Sequence, residues 1–230
     1  MNRQRGFHAD RLRRLLQRGF KRPGSAGGRS PHIEVSGSPR PHHHPDVHRE
    51  DARARVVATL ERWARLNARL PEELIRHGLA AMRANRQALG EAVRFGDECQ
   101  RTRIFACEHF EVLVACRKSR QGGPIHDHGD STCGLLVVEG TATEVLFEAT
   151  PSGMLSPSRS HAILEGAVSV SRGGDVHLLS NLQALGSPLI TLHVCSPPLT
   201  VGRRSPVGET ALGGLDDVQD VHSRTRSVVI

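Results

Sequence analysis

Three histidines, His126, His128 and His177, have the type and in part the spacing to hold a metal ion. In a β-strand residues i and i+2 point to the same face, so His126 and His128 can offer two imidazoles to one ion, and His177 can add a third nitrogen. Three ligands on one side leave the opposite coordination positions open to a substrate or to oxygen, whereas a closed four-ligand shell is structural. Histidine is abundant in this chain, and 14 in 230 residues give about 0.8 His-x-His pairs by chance. A second pair, His42 and His44, lies between Pro41 and Pro45 in a low-complexity tract and reads as solvated. Context separates the two. Cys133 and Gly140 follow the first pair, and Gly166 and Gly174 lead into His177 and Asn181.

Bringing position 177 to positions 126 and 128 requires the chain to fold back on itself, and the pattern beyond Gln100 supplies the means. Apolar residues there alternate, with Val112, Val114 and Cys116 on one face of a strand that starts near Phe110. Further strands are expected over residues 103–107, 133–139, 141–148, 167–170 and 189–195, separated by Gly, Ser and Pro. Many short, closely spaced strands argue for an antiparallel sandwich or barrel, and Glu139-Gly140 predicts a hairpin between two of them. Upstream, from Asp51, Val56, Leu60, Trp63, Ala64 and Leu70 recur at helical spacing. A second helical stretch follows Pro71 through Leu74, Leu79, Met82 and Leu89, and Trp63 is expected to anchor the first helix in the core.

Charge and composition bound what the chain can be. Residues 1–40 hold ten basic and two acidic side chains, a net of +8, while the whole chain carries +7, so the remainder sums to −1. A near-neutral body with a basic arm rich in Gly, Ser and Pro points to a disordered extension over residues 1–48, with at most a short basic helix near residues 9–17, rather than to a nucleic-acid-binding domain. One domain is expected over residues 49–205, then a polar tail over residues 206–230 with an edge strand at its end. No apolar run approaches the ~20 residues that span a bilayer, and no compact apolar secretory segment opens the chain. The five cysteines, Cys99, Cys107, Cys116, Cys133 and Cys195, lack CxxC spacing and read as thiols of a soluble, cytoplasmic, monomeric protein.

The two fragments around the histidines resemble the paired motifs of the cupin superfamily. The first motif there runs His-x-His, three or four residues, Glu, six residues, Gly, and here His126 and His128 are followed by Cys133 and Gly140. The second, Gly, five residues, Pro-x-Gly, two residues, His, three residues, Asn, is matched by Gly166, Gly174, His177 and Asn181, with Arg172 in place of Pro. Cysteine at the carboxylate position is the pattern of animal-type cysteine dioxygenase. Ile-His-Asp-His with Asp130, Ser131 and Cys133, and Leu-His-Val-Cys-Ser-Pro-Pro from Leu192 to Pro198, look like that family's signature segments. The resemblance covers about residues 51–200.

It implies a mainly β fold, a cupin or small jelly-roll β-barrel, preceded by two or three N-terminal helices. It further implies Fe(2+) held by His126, His128 and His177, a small thiol substrate and O2. Arg103 falls where the family has the arginine that binds the substrate carboxylate, with Arg101 replacing the tyrosine two places earlier. The family's Ser-x-His-x-Tyr triad appears as Thr191, His193 and Cys195, and no tyrosine exists anywhere in the chain. Cys133 and Cys195 are therefore expected to face one cavity as two thiols or a labile disulfide in place of the family's cysteine-tyrosine bridge. The implied reaction adds both atoms of dioxygen to the sulfur of L-cysteine, giving the sulfinate. The alternatives are dioxygenation of another small thiol such as 3-mercaptopropionate, or a non-catalytic metal-binding sensor.

Overall fold

The computed structural model describes residues 45–199 and 226–227. Helix α1, Pro45–Leu66, turns Ala52, Val56, Leu60 and Trp63 inward at spacings of three and four. It begins at Pro45, six residues before the expected Asp51, because proline suits a first helical turn, where its missing N–H would have no partner anyway. The other residues expected to form the basic arm, 1–44, lie outside the described residues, as do the His42 and His44 pair and the helix expected near residues 9–17. Trp63 is the anchor the periodicity called for: it is buried, and meets the Phe110 ring edge-on at 5.9 Å. Gly78 makes room for it, since a Cβ there would collide with the indole.

The second helical stretch does not run through to Leu89. Helix α2, Glu72–Met82, starts after Pro71 with Glu72 and Glu73 in its first turn, where carboxylates suit the helix dipole. It stops at Arg83, which adopts a left-handed conformation at φ 41°. A short helix α3, Arg86–Leu89, restarts where Asn85 Oδ1 accepts from the Ala88 N–H at 2.8 Å, and a 3₁₀ turn follows over Gly90–Ala92.

Among the described residues the β portion has nine strands: β1 Gln100–Ala106, β2 Glu111–Arg117, β3 Thr132–Glu139, β4 Ala142–Ala149, β5 Leu155–Ile163, β6 Val168–Ser171, β7 Val176–Ser180, β8 Leu189–Ser196 and β9 Arg226–Ser227. They form a six-stranded sheet in the order β6-β3-β8-β2-β1-β9 and a three-stranded sheet in the order β5-β4-β7. All pairings are antiparallel except β1 with β9, the edge strand expected at the end of the tail. The rest of the tail, residues 200–225 and 228–230, lies outside the described residues. Among the described residues no helix is long and apolar enough to cross a membrane.

Glu139-Gly140 is not a hairpin. β3 is paired on both edges by β6 and β8, and β4 by β5 and β7, so the turn carries the chain from one sheet to the other. Gly140, at φ 87°, takes the corner, and a side chain there would meet the Pro188 carbonyl and Gln183. The result is the double-sheeted jelly roll expected, with a helical layer outside the larger sheet.

That sheet has two chemically different faces. Val112, Val114 and Cys116 of β2, with Ile190, Leu192 and Val194 of β8, pack on Leu60, Trp63, Ile75 and Leu79 of the helices. The alternate residues turn the other way: Leu113, Ala115, Arg117, Thr191, His193 and Cys195 face the smaller sheet. An inner apolar cluster of Leu135, Val137, Ala142, Ile163, Leu179 and Leu189 closes one end of the gap between the sheets. The other end is a cavity.

Candidate metal centre

His177 lies on β7, while His126 and His128 lie on the extended segment between β2 and β3 rather than on a strand. What positions them is backbone pairing across that segment. The His126 N–H donates to the His177 carbonyl at 2.9 Å, the His177 N–H returns a bond to the His126 carbonyl at 2.8 Å, and the His128 N–H donates to the Gly173 carbonyl at 3.2 Å. The last contact depends on two glycines: Gly129 turns the chain at φ 58°, and a Cβ on Gly173 would overlap the Gly129 carbonyl. The three imidazoles then stand with ring centroids 4.7 to 5.1 Å apart.

Each ring has its Nδ1 engaged. His126 Nδ1 donates to the Pro124 carbonyl at 2.9 Å. The Ser171 hydroxyl donates to the Cys133 carbonyl at 3.3 Å and so accepts from His128 Nδ1 at 3.0 Å. His177 Nδ1 donates to Glu144 Oε1 at 2.6 Å, while the other oxygen, Oε2, takes His161 Nε2 at 3.1 Å. With the protons on Nδ1, every Nε2 is a bare lone pair. Burial, then the neighbouring imidazoles His177 and His128, hold His126 down to about 3. Burial and His177 do the same to His128, also to about 3. Burial pushes the Glu144 carboxyl up, but the His177 hydrogen bond and the surrounding histidines outweigh it and keep that carboxyl below its usual value.

A ligand atom from each of His126, His128 and His177 lies within 4.8 Å of the others, and His128 Nε2 stands 3.4 Å from His177 Nε2. Two lone pairs facing each other in a buried site repel, and a cation between them reverses the sign. An ion about 2.1 Å from each nitrogen sets neighbouring nitrogens roughly 3 to 3.4 Å apart, which fits the closest pair. The donor set therefore suits a divalent metal ion, with the Glu144 carboxylate orienting and polarising one ligand.

The cavity beside the triad measures about 600 Å³ with its open mouth counted. Its wall includes His193, Cys133 and Cys195, as expected, and the Thr191 hydroxyl lies 2.8 Å from His193 Nε2. Burial, then the guanidinium charges of Arg117 and Arg101, hold His193 well below its ordinary value, so the ring is neutral. Cys133 and Cys195, expected to face one cavity as two thiols or a labile disulfide, are joined in a disulfide. They are direct partners across β3 and β8, with Cα atoms 4.2 Å apart, a proximity that spacing along the chain does not reveal. Cys99, Cys107 and Cys116 are free.

Arg103 is not brought to the cavity wall. Its register opposite Leu113 puts it on the same sheet face, but its guanidinium reaches Glu111 Oε2 at 3.5 Å, and Glu111 Oε1 in turn accepts from the Leu199 N–H. Two arginines line the cavity instead: Arg101, two residues earlier on β1, and Arg117, at the end of β2. Sequence reasoning missed Arg117, Glu144 and Ser171. Glu144 carried a signal, since alternation from buried Ala142 places it on the inner face of β4, where a carboxylate needs a partner.

The family model described as cysteine dioxygenase type I matches residues 67–205. Cysteine dioxygenase type 1 of Danio rerio is 29% identical over 93 residues, covering 39% of this chain and 46% of that protein. The Rattus norvegicus protein of the same name is 27% identical over 92 residues with the same coverages. The chain thus spans about half the length of the curated relatives it matches. Among solved structures, a Thermus thermophilus protein aligns at 19% identity with a TM-score of 0.41, over 48% of this chain and 94% of its own. An RmlC-like cupin from Desulfovibrio desulfuricans aligns at 24% identity with a TM-score of 0.36, over 47% and 92%. With three imidazoles converging in the cup of a jelly roll and the family model spanning more than half the residues, this chain belongs to the cysteine dioxygenase type I family.

Proposed function

We propose that the protein is an iron-dependent thiol dioxygenase that converts L-cysteine and O2 to cysteine sulfinate. The observation that carries this reading is the convergence of His126, His128 and His177, each with Nδ1 tied to an acceptor and Nε2 left to bind. A ferrous ion held by the three rings would supply open coordination positions for a thiolate and for dioxygen, and the redox chemistry that couples them. The neutral imidazoles bring no negative charge of their own, so attraction for an anionic sulfur is undiminished. Thiol and dioxygen give the sulfinic acid with both oxygen atoms retained. Sulfur gives up four electrons and dioxygen takes them, so no outside reductant is consumed.

His193, neutral, held by Thr191 and lining the same cavity as the triad, would act as a hydrogen-bonding group toward the substrate. The Cys133–Cys195 bridge takes the wall position that the family's cysteine-tyrosine pair fills, and forms a polarisable surface against the sulfur. The test is oxygen consumption by the iron-loaded chain with L-cysteine, and separately with 3-mercaptopropionate. Uptake with cysteine, matched one to one by a product heavier by two oxygen atoms, is expected. Uptake with the other thiol alone moves the substrate assignment, and none with either leaves a metal-binding module without this activity.

A further inference from the structure

The buried end of the cavity holds an uncompensated positive charge. Arg117 is 2% exposed, yet among the described residues no carboxylate lies within ion-pair reach of it. Its Nη1 has one long contact, 3.5 Å to the Thr191 hydroxyl, and its buried Nε has no hydrogen-bond partner. Arg101 brings a second guanidinium to the same place: a Cβ built on Gly123 would lie 3.7 Å from Arg117 Nη2 and 3.9 Å from Arg101 Nη2. Burial works most strongly against the charged form of Arg117, and proximity to Arg101 adds to it, outweighing the opposing influence of the Cys99 and Cys116 thiols. A buried charge without a partner is expensive, and two like charges converging are more so. Such a pair persists where an anion completes it, and a guanidinium fork with free N–H groups matches a carboxylate in a bidentate geometry.

We infer that Arg117, assisted by Arg101, is the anchor for the substrate carboxylate, and that the site selects small thiol acids over thiols that lack the acid group. The inference rests on the thiol-dioxygenase reading and relocates acid recognition from Arg103, whose guanidinium reaches Glu111, to the inner wall shared with Thr191 and His193. Arg117 and the three histidines line the same cavity, so one small molecule could present its carboxylate to the one and its thiolate to the others.

The test is thiol binding to the cobalt(II)-loaded chain, followed by the thiolate-to-metal charge-transfer band for 3-mercaptopropionate and for cysteamine, which has no carboxylate. The thiol acid is expected to bind about tenfold or more tightly than cysteamine, the scale of a charge-assisted hydrogen bond. Arg117→Met abolishes that preference without weakening cysteamine, and Arg101→Met reduces it. Retention of the preference in Arg117→Met, or its loss in Arg103→Ala alone, overturns the assignment. Thermal unfolding checks folding, because replacing an unpaired buried charge by an isosteric apolar chain leaves the melting temperature at or above the original. Should no thiol give the band, the dioxygenase reading fails, and the metal-free chain then decides the arginine alone: propionate raises the melting temperature of the wild type but not of Arg117→Met, and equal shifts refute the anchor.

Discussion

Glu144 is buried between His177 and His161, so its loss strands two imidazole nitrogens rather than one. Glu144→Gln keeps the shape of the side chain but removes the charge that orients His177. Metal affinity is expected to fall by about 10- to 100-fold, as read by competition with a chromogenic chelator, while the folded β signal in circular dichroism is kept. The neighbouring histidines set a pH dependence. His126 and His128 hold values near 3 in the fold against 6.5 in the unfolded chain, so between those limits the unfolded state binds more protons. Stability of the metal-free chain is therefore complete above about pH 6.5 and falls continuously toward pH 3, with His193 pulling in the same direction. Denaturant unfolding at stepped pH measures this slope, and the His126→Gln, His128→Gln double variant should flatten it.

Among the elements, the segment carrying the histidine pair is held largely by backbone hydrogen bonds, with the Ser171 hydroxyl on His128, and Gly173 passes too close to the Gly129 carbonyl to admit a Cβ. Gly173→Ala is expected to displace His128 and abolish stoichiometric metal binding, measured by metal analysis after gel filtration. The helical layer behaves oppositely. Trp63→Ala should cost about 3–5 kcal/mol of stability, yet leave the affinity of the folded protein for metal unchanged, because Trp63 packs on the outer face of the sheet. These elements also show what the sequence could convey. Strands β2, β3 and β8 were legible as short runs rich in apolar and β-branched residues bounded by turn residues, a composition that burial on both faces imposes. β5 was not, because it is a polar, exposed edge strand with Pro157 seated at a register shift, so burial leaves no imprint on its composition. The histidine triad was legible from motif spacing, though the segment carrying His126 and His128 is not a strand. Glu144 and Arg117 act through cross-strand proximity, which a linear pattern does not encode.

For the molecule as a whole, the disulfide joins parts distant along the chain, and a metal at the three histidines would do the same. A metal that binds only the folded form stabilises it by mass action, so chelator treatment should lower the melting temperature, and restored metal should recover it in proportion to the logarithm of its concentration. Cys133 and Cys195 close a loop across a separation of 62 residues, a constraint worth about 2–4 kcal/mol against the unfolded chain. Urea unfolding with and without reductant should differ by that amount, and the Cys133→Ser, Cys195→Ser double variant should show no difference.

The two-faced large sheet limits how this lineage can vary. Because neighbours along β2 and β8 serve opposite sides, inserting or deleting a single amino acid inside either would send Val114 and Leu192 toward the cavity and Arg117 and His193 into the oily layer behind it. Length is therefore frozen in these two ribbons, while volume-conserving apolar replacements on the helix side would leave the cavity wall unchanged.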